Sequence, residues 1–314
     1  MKKNRSVLTC MFVLIIFFAG CKNEPDHAGF DSLYFGLEPP GMAPEIFAPG
    51  VVNTDAQNHS CVTISPDGKE IYWSQFSSIA GVRQERIWFS EYKQGKWSQP
   101  QVTPFSGTYR EGGPHFSLGG KRLYFSSLRP VDQNDVSVDA NIWYVEKTDL
   151  GWADPVCLDQ PVNSEFEEWF PTLAKNGNIY FMFRNKDSSV LWDIYCSEFK
   201  GNKYMNPQKL GDAINSQYVE GFSFVDPDER FFIFYSERPG GLCEGGELYI
   251  SFCNLDGTWA DAVNMGEKIN RVPSRFPGLS PDGNYFFFSN YENNKESIYW
   301  IDARIIDSLN PKVD

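Results

Sequence analysis

Three glutamates in matching contexts, each followed by an arginine, are the residues of this sequence best placed to do chemistry. They stand in REGGPHFS, EEWFPTL and VEGFSFV, and the arginines in SLRP, FRNK and ERPG: Glu111, Glu168, Glu220, Arg129, Arg184 and Arg238. Carboxylates around one cavity can supply the acid and the base or nucleophile of glycoside hydrolysis. Alternatively, the glutamates pair with arginines or backbone N–H groups inside a repeated element. The repetition favours this second role, because catalytic residues break the symmetry of a repeat.

The elements that would position these residues belong to a repeated unit. The turn position of the unit recurs at intervals of 52 to 57 residues, at Gly68, Gly120, Gly177, Glu229 and Gly283. An aromatic strand such as IYWS follows each turn, then a second such as IWFSE, and then a third such as WADPVCL. Self-similarity on this scale is the signature of solenoids, propellers and arrays.

With the strand before the turn, each unit contains four strands and shows no helical period. Such an antiparallel unit, repeated around an axis, is the blade of a β-propeller. We therefore predict an all-β, five-bladed β-propeller over residues 42–314, in which the PDG sequences form tight turns. A six-bladed ring is the alternative, but only residues 26–41 remain for a sixth blade, and these are too few.

The segment MAPEIFAPGVVNTDAQNHS predicts how the ring closes. The fifth unit ends without a copy of the fourth strand. In the N-terminal segment, Pro44 falls where Pro155 stands in its unit, and Asn53 matches Asn163. We expect this segment to supply the outer strand of the last blade.

The strand order and the PDG turns resemble the WD-repeat-like propellers of the TolB type. The fuller pattern, W-[SA]-x-P-V-x-L-x-x-x-[IV]-N followed by E, P and SPDG-x-x-[IL]-Y-F-S, resembles propellers of Bacteroidetes lipoproteins. This resemblance covers residues 42–302 and implies the propeller fold. It leaves function open, because one fold hosts many functions.

In such a propeller, the linkers into the inner strands and the loops between second and third strands open on one face of the ring. We expect a candidate binding rim there, formed by the three glutamates, the three arginines and His115. A lone histidine at the start of a strand is more often a packing residue than a base, and no GxSxG elbow is present. P-loop, GxGxxG and CxxC motifs are also absent from the sequence, which therefore predicts no cofactor and no metal site.

The N-terminus indicates export. The basic start MKKNR and an apolar run over 7–18, too short to span a bilayer, predict a signal peptide over 1–20. The run ends in FAGC, which resembles the lipobox of bacterial lipoproteins and implies a lipid anchor on Cys21. An ordinary signal peptide with an incidental cysteine is the alternative. Residues 21–41, polar and rich in Pro and Gly, would form a tether.

The composition limits the classes of partner that the protein can bind. The formal net charge is −13 and no run of Lys or Arg is present, which argues against nucleic acid. Five cysteines fall in the domain, and a bond between Cys243 and Cys253 stays open. We expect a lipid-anchored binding or scaffold module at the outer membrane, on its periplasmic or cell-surface side, whose partner is an envelope protein or a glycan. The alternative is a carbohydrate-active enzyme that uses carboxylates at the channel.

Overall fold

The computed structural model describes residues 33–55, 58–79, 82–137, 139–185 and 192–311. The expected signal peptide, Cys21 and most of the expected tether lie outside these ranges. In the part of the chain that the structure describes, no helix is long and apolar enough to span a membrane.

Five antiparallel blades make up the described fold, and their strands follow one another in chain order. The first strand is β1 (Glu45–Ile46). Blade 1 contains β2 (Asn58–Ile64), β3 (Glu70–Ile79), β4 (Val82–Lys93), β5 (Lys96–Trp97) and β6 (Gln101–Val102). Blade 2 contains β7 (Glu111–Phe116), β8 (Arg122–Ser127), β9 (Asn141–Thr148), β10 (Gly151–Trp152) and β11 (Val156–Cys157). Blade 3 contains β12 (Glu167–Leu173), β13 (Ile179–Arg184), β14 (Asp193–Ser197), β15 (Phe199–Lys200), β16 (Lys203–Tyr204) and β17 (Gln208–Lys209).

The remaining blades carry the two α-helices of the described residues. Blade 4 contains β18 (Glu220–Val225), β19 (Phe231–Ser236), β20 (Glu247–Phe252) and β21 (Val263–Asn264), followed by α1 (Glu267–Asn270). Blade 5 contains β22 (Ser274–Leu279), β23 (Tyr285–Glu292) and β24 (Lys295–Asp302), followed by α2 (Arg304–Asp307).

The ring closes as the sequence predicts. In blade 5 the strand order is β22, β23, β24 and then β1, with Glu45 opposite Trp300 and Ile46 opposite Tyr299. The five-bladed propeller and its closure by the N-terminal strand are therefore confirmed. Before β1, a 3-10 turn at Leu33–Gly36 packs between blades 5 and 1, where the Tyr34 ring lies 5.2 Å from that of Tyr285.

A repeated asparagine clamps the third strand in four of the five blades, and in blade 1 the Ser106 hydroxyl accepts from the equivalent backbone N–H of Ile87. Asn163 accepts a hydrogen bond from the backbone N–H of Ile142 (2.8 Å) and donates to the Ile142 carbonyl (2.8 Å). Asn215 and Asn270 make the same pair of bonds in blades 3 and 4. Asn53 makes the same pair of bonds with Ile298, which is 245 residues away in sequence, so an asparagine clamp also closes the ring.

The PDG motifs are turns, as the sequence predicts. The Asp67 carboxylate accepts from the Ser65 hydroxyl (2.6 Å) and from the backbone N–H of Lys69 (3.1 Å). Gly68 has φ +72°, a conformation that glycine adopts without steric cost. Asp282 and Gly283 repeat the arrangement in blade 5. We call the side of the ring that carries these turns the turn face.

The core lies between adjacent blades. Trp152 of blade 2 donates from its indole N–H to the Tyr72 hydroxyl of blade 1 at 2.9 Å, so this tryptophan joins two blades. Within the described residues no disulfide joins Cys243 to Cys253 or any other pair of cysteines. This part of the chain relies on apolar packing and hydrogen bonds.

Candidate functional site

Every inner strand contains a bulge at the same place. The register with the second strand shifts there in all five blades. The backbone is left-handed at the aligned residues Cys61 (φ +51°), Gly113 (+65°), Phe170 (+54°), Phe222 (+42°) and Phe276 (+53°). Bulges re-aim side chains, and these five positions meet at the axis of the ring.

Three of the five residues plug the central channel. The rings of Phe170, Phe222 and Phe276 have centroids 4.3 to 5.3 Å apart. Gly113 leaves them room, because a Cβ there would lie 2.7 Å from Phe170 Cδ1. The space left at the plug is about 60 Å³. The plug separates the turn face from the opposite face, which we call the linker face because the linkers into the inner strands open on it.

Glu111 and Arg129 lie inside blade 2. The carboxylate of Glu111 is fully buried and accepts from the Ser106 hydroxyl (2.7 Å), the Gly107 N–H (2.9 Å) and the Arg129 guanidinium (2.6 Å). The guanidinium also donates to the Phe105 carbonyl at 2.7 Å. This pair fastens the linker to the blade and leaves the carboxylate no access to solvent.

Glu220 and Arg238 repeat this arrangement in blade 4. The buried Glu220 carboxylate accepts from the hydroxyls of Ser216 (2.6 Å) and Ser236 (2.7 Å) and lies 3.6 Å from the Arg238 guanidinium. Arg238 donates to the Ile214 carbonyl at 2.6 Å. Two of the three expected pairs are therefore internal to their blades.

Glu168 lacks the arginine that its equivalents have. It lies opposite Phe183, where blades 2 and 4 have a serine, and its Oε1 accepts from the Ser164 hydroxyl at 2.5 Å. Its Oε2 is buried and, among the described residues, has no hydrogen-bond partner. Burial raises the pKa of the Glu168 carboxyl to about 7.

The alignment of Arg184 with the other two arginines is wrong by one position. Arg129 and Arg238 stand two residues beyond the serine that faces their glutamate, whereas Arg184 stands one residue beyond Phe183. Alternate strand residues point to opposite faces. Arg184 therefore lies opposite Glu167 and bonds it, Nε to Oε2, at 2.8 Å.

His115 lies on the turn-face side of the plug, away from the glutamates. Its Nε2 accepts from the backbone N–H of Leu173 at 3.2 Å, and burial lowers its pKa to about 4. In blades 1 and 5, His59 and Ser274 take the position of Glu111. Burial lowers the pKa of His59 to about 4 as well. Both histidines are therefore neutral at pH 7.

A different set of side chains meets on the linker face. Above the plug, a cavity of about 460 Å³ opens to solvent, with the three phenylalanines as its floor. We call it the linker-face pocket. Its charged wall comes from blades 1, 3 and 5 and from the linker into blade 2, and consists of Arg83, Arg110, Glu167, Arg184, Arg275 and Glu296. Of the residues expected at the rim, Arg184 is the one that lines this pocket.

Three arginines of the wall are paired with two carboxylates. Arg83 and Arg110 approach the same buried Glu85 carboxylate, at 3.2 and 3.3 Å. Arg184 pairs with Glu167. Two of these guanidiniums also cover indole rings, since Arg110 lies 4.5 Å from the Trp169 centroid and Arg184 lies 4.5 Å from that of Trp192.

Arg275 and Glu296 are the less satisfied members of the wall. Within the described ranges Arg275 forms no ion pair, and its buried Nε has no hydrogen-bond partner. Its guanidinium lies over the rings of Tyr235 and Tyr291, at 5.8 and 5.6 Å. Glu296 is 2% exposed, and its Oε1 is unpartnered.

The pKa of Glu296 reflects these surroundings. Burial raises it to about 7, although the positive charges of Arg275 and Arg83 oppose the rise. The nearby Glu85 carboxylate adds to it. The Glu296 carboxylate in turn helps to raise the pKa of the Cys61 thiol and of the Tyr235 hydroxyl. At pH 7 this carboxyl is therefore divided between its protonated and ionised forms.

The signal for this pocket lies one residue beyond the repeated glutamate. There the five blades carry four different residue types, at Ser60, Gly112, Trp169, Gly221 and Arg275. A position that varies while its neighbours repeat indicates function rather than blade architecture. Among the described residues, no group of three or more His, Cys, Asp or Glu could hold a metal ion.

Comparisons with known proteins place the fold. No protein-family model and no curated protein matches the chain. Among solved structures, a TolB protein of Agrobacterium tumefaciens is 15% identical, with a TM-score of 0.50 over 80% of this chain and 79% of that one. The endo-arabinase of Bacteroides thetaiotaomicron VPI-5482 is 13% identical, with a TM-score of 0.52 over 84% and 97%. The catalytic domain of a GH62 alpha-L-arabinofuranosidase of Coprinopsis cinerea is 9% identical, with a TM-score of 0.50 over 84% and 97%. At these identities the likeness is one of fold.

Proposed function

We propose that the protein is a glycan-binding module of the bacterial cell envelope and that its ligand binds in the linker-face pocket. The observation that carries this proposal is an open cavity of about 460 Å³ with a charged wall and an aromatic floor. Small-molecule sites are typically concave, about 300–1,000 Å³ in volume, and lined by apolar groups with a few placed polar ones. The plug gives this cavity a closed end, so a ligand is enclosed rather than passed through.

A glycan fits this site better than a folded protein does. A specific protein interface buries about 800 Å² on each partner, whereas only a chain end or a loop could enter the pocket. A sugar residue offers hydroxyls to charged side chains and an apolar ring face to an indole. Trp192 is partly exposed in the pocket wall and can receive that face, while Trp169 is buried. The endo-arabinase and the arabinofuranosidase of similar fold are carbohydrate-active by name.

A binding assay with one pocket variant tests the proposal. The purified protein is titrated by calorimetry with a panel of neutral and acidic oligosaccharides, and the Trp192→Ala variant is titrated beside it. Phe199→Ala is the control, because Phe199 is an exposed aromatic residue of the β15–β16 hairpin, outside the pocket. Binding lost in Trp192→Ala alone supports the proposal. No binding to any member of the panel, or equal binding by both variants, contradicts it.

The membrane anchor is part of the proposal and is supported by the sequence. A short apolar run that ends in FAGC supports lipid attachment at Cys21 and retention at the outer membrane, on the periplasmic or cell-surface side. Labelling of cells with radioactive palmitate should mark the wild-type protein and not a Cys21→Ala variant. Labelling that persists in the variant would contradict the anchor.

A carbohydrate-active enzyme is the second candidate, and one observation favours it. Glu296, with its pKa near 7, and Glu167, held by Arg184, both line the pocket. Carboxyl groups in contrasting environments are how glycosidases separate the acid from the base or nucleophile. The buried Glu111 and Glu220 lack access to such a substrate.

The enzyme candidate predicts release of reducing ends from a glycan that binds. Glu296→Gln should abolish the release and leave binding in place, because the amide keeps the shape of the side chain. If every glycan that binds is recovered intact, the enzyme candidate is wrong and the binding module stands.

A further inference from the structure

The charges of the linker-face pocket do not balance. Its wall has four arginines, and three of them are engaged by Glu85 and Glu167. Arg275 is left without an ion pair among the described residues, and its buried Nε lacks an acceptor. The half-buried Arg275 guanidinium lines the pocket as a cationic donor that no carboxylate of the described residues pairs with, and a ligand acceptor there could bond it. The pocket therefore holds a positive charge in a protein whose formal net charge is −13.

The neighbouring carboxyl group does not cancel this charge. Glu296 lies farther from Arg275 than an ion pair would, and burial favours its protonated form. Its Oε1 is also unpartnered, so the protonated group is a candidate hydrogen-bond donor to the same ligand. Arg275 and Glu296 come from β22 and β24 of one blade, which fixes them relative to each other.

We propose that the glycan is acidic and that Arg275 binds the carboxylate of a uronate residue in the linker-face pocket. This inference rests on the function proposed above. A planar guanidinium matches a carboxylate and can bind it through two parallel hydrogen bonds. The carboxylates of Glu85 and Glu167 favour a ligand group with a single negative charge, since they would repel the second charge of a phosphate. Trp192 lies on the same wall and is placed for the apolar face of the sugar ring.

Matched ligands test this inference on the wild-type protein. The trimers of galacturonate, glucuronate and mannuronate are titrated by calorimetry, each beside its carboxyl-reduced counterpart, which keeps the linkage and loses only the charge. We expect at least one uronate trimer to bind about 10- to 100-fold more tightly than its reduced form, which is the range for a hydrogen-bonded charge.

Two variants test whether Arg275 supplies the positive charge that binds the uronate. Arg275→Gln should lower uronate affinity by the same factor and leave the affinity for the reduced trimer unchanged. Arg271→Gln is the matched control, because Arg271 lies four residues away on the surface, paired with Glu292 at 3.3 Å. Circular dichroism shows whether each variant is folded, and the comparison of wild-type ligands stands even if Arg275→Gln is not.

The outcomes separate this inference from the function on which it rests. Binding of neutral glycans as tight as that of uronates, or a folded Arg275→Gln variant that binds uronates normally, overturns the acidic-ligand inference and leaves glycan binding intact. No binding to any glycan, neutral or acidic, overturns the proposed function itself.

Discussion

Replacement of Glu168 by Gln should make the protein more stable at high pH, and the equivalent change at Glu220 should not. The two glutamates hold the same position in blades 3 and 4 and are both fully buried. Glu220 has the Arg238 guanidinium and two serine hydroxyls, whereas one oxygen of Glu168 has no partner. Comparison of the two variants therefore measures the free energy of unfolding that an unpaired buried carboxylate costs.

The magnitude follows from the pKa of Glu168. Burial raises it from 4.5 to about 7, and each unit corresponds to about 1.4 kcal/mol. The folded state therefore prefers the protonated form. The resulting stability is fully present below about pH 4.5 and is lost as the pH rises through 7, a difference of about 3 kcal/mol. Glutamine does not titrate, so Glu168→Gln avoids this loss, although it weakens the bond from Ser164 by about 1 kcal/mol.

Urea unfolding followed by tryptophan fluorescence at pH 5 and pH 8.5 measures these effects. We expect Glu168→Gln to be slightly less stable than wild type at pH 5 and about 2 kcal/mol more stable at pH 8.5. Glu220→Gln should be less stable at both pH values by about 3–5 kcal/mol, because it leaves Arg238 unpaired. The reasoning fails if the effect of Glu168→Gln is the same at both pH values, or if the two variants behave alike.

Three further predictions concern the plug, the closure and the pocket. Phe276→Ala should lower the free energy of unfolding by about 3–4 kcal/mol, the cost of truncating a buried aromatic side chain, in the same urea assay; a loss below about 1 kcal/mol would mean that the plug does not pack as described. Asn53→Ala should lower stability by about 2–4 kcal/mol and increase hydrogen exchange in β1, whereas Asn163→Ala should cost as much and leave β1 protected. Equal exchange in the two variants would contradict a specific role of Asn53 in closure. Uronate binding should weaken as the pH rises from 6 to 8, because Glu296 ionises near pH 7 beside Arg275 and adds a negative charge; the dependence should be flat in Glu296→Gln, and calorimetry across this range checks it.

The blades and their closure could be predicted from the sequence because each depends on short patterns that recur. A turn such as that at Gly68 needs a left-handed residue, and a linker asparagine such as Asn163 needs a strand to clamp. These requirements are local and leave similar residues in most copies. The displaced copy around Asn53 was recognisable for the same reason.

The candidate site could not be predicted in the same way. Repetition led to Glu111 and Glu220, which recur because they hold the blades together. Arg184 was misplaced because a shift of one residue turns a strand side chain to the other face, and the sequence pattern does not reveal such a shift. The pocket depends on Arg275, which no other blade repeats, and on Glu296 at the start of β24, whose position is held by a glutamate in blade 1 alone, Glu85.

If a lipid is attached at Cys21, the turn at Leu33–Gly36 sets which face of the ring lies nearer the membrane. It packs on the turn face, where a Cβ on Gly68 would lie 2.8 Å from Leu33 Cδ2. An extended chain spans at most about 3.5 Å per residue, so the residues between Cys21 and Leu33 can reach about 40 Å. A lipid at Cys21 would thus hold the turn face toward the bilayer within that distance. The linker-face pocket would then look outward, into the aqueous space from which a long glycan chain could reach it without approaching the lipid surface.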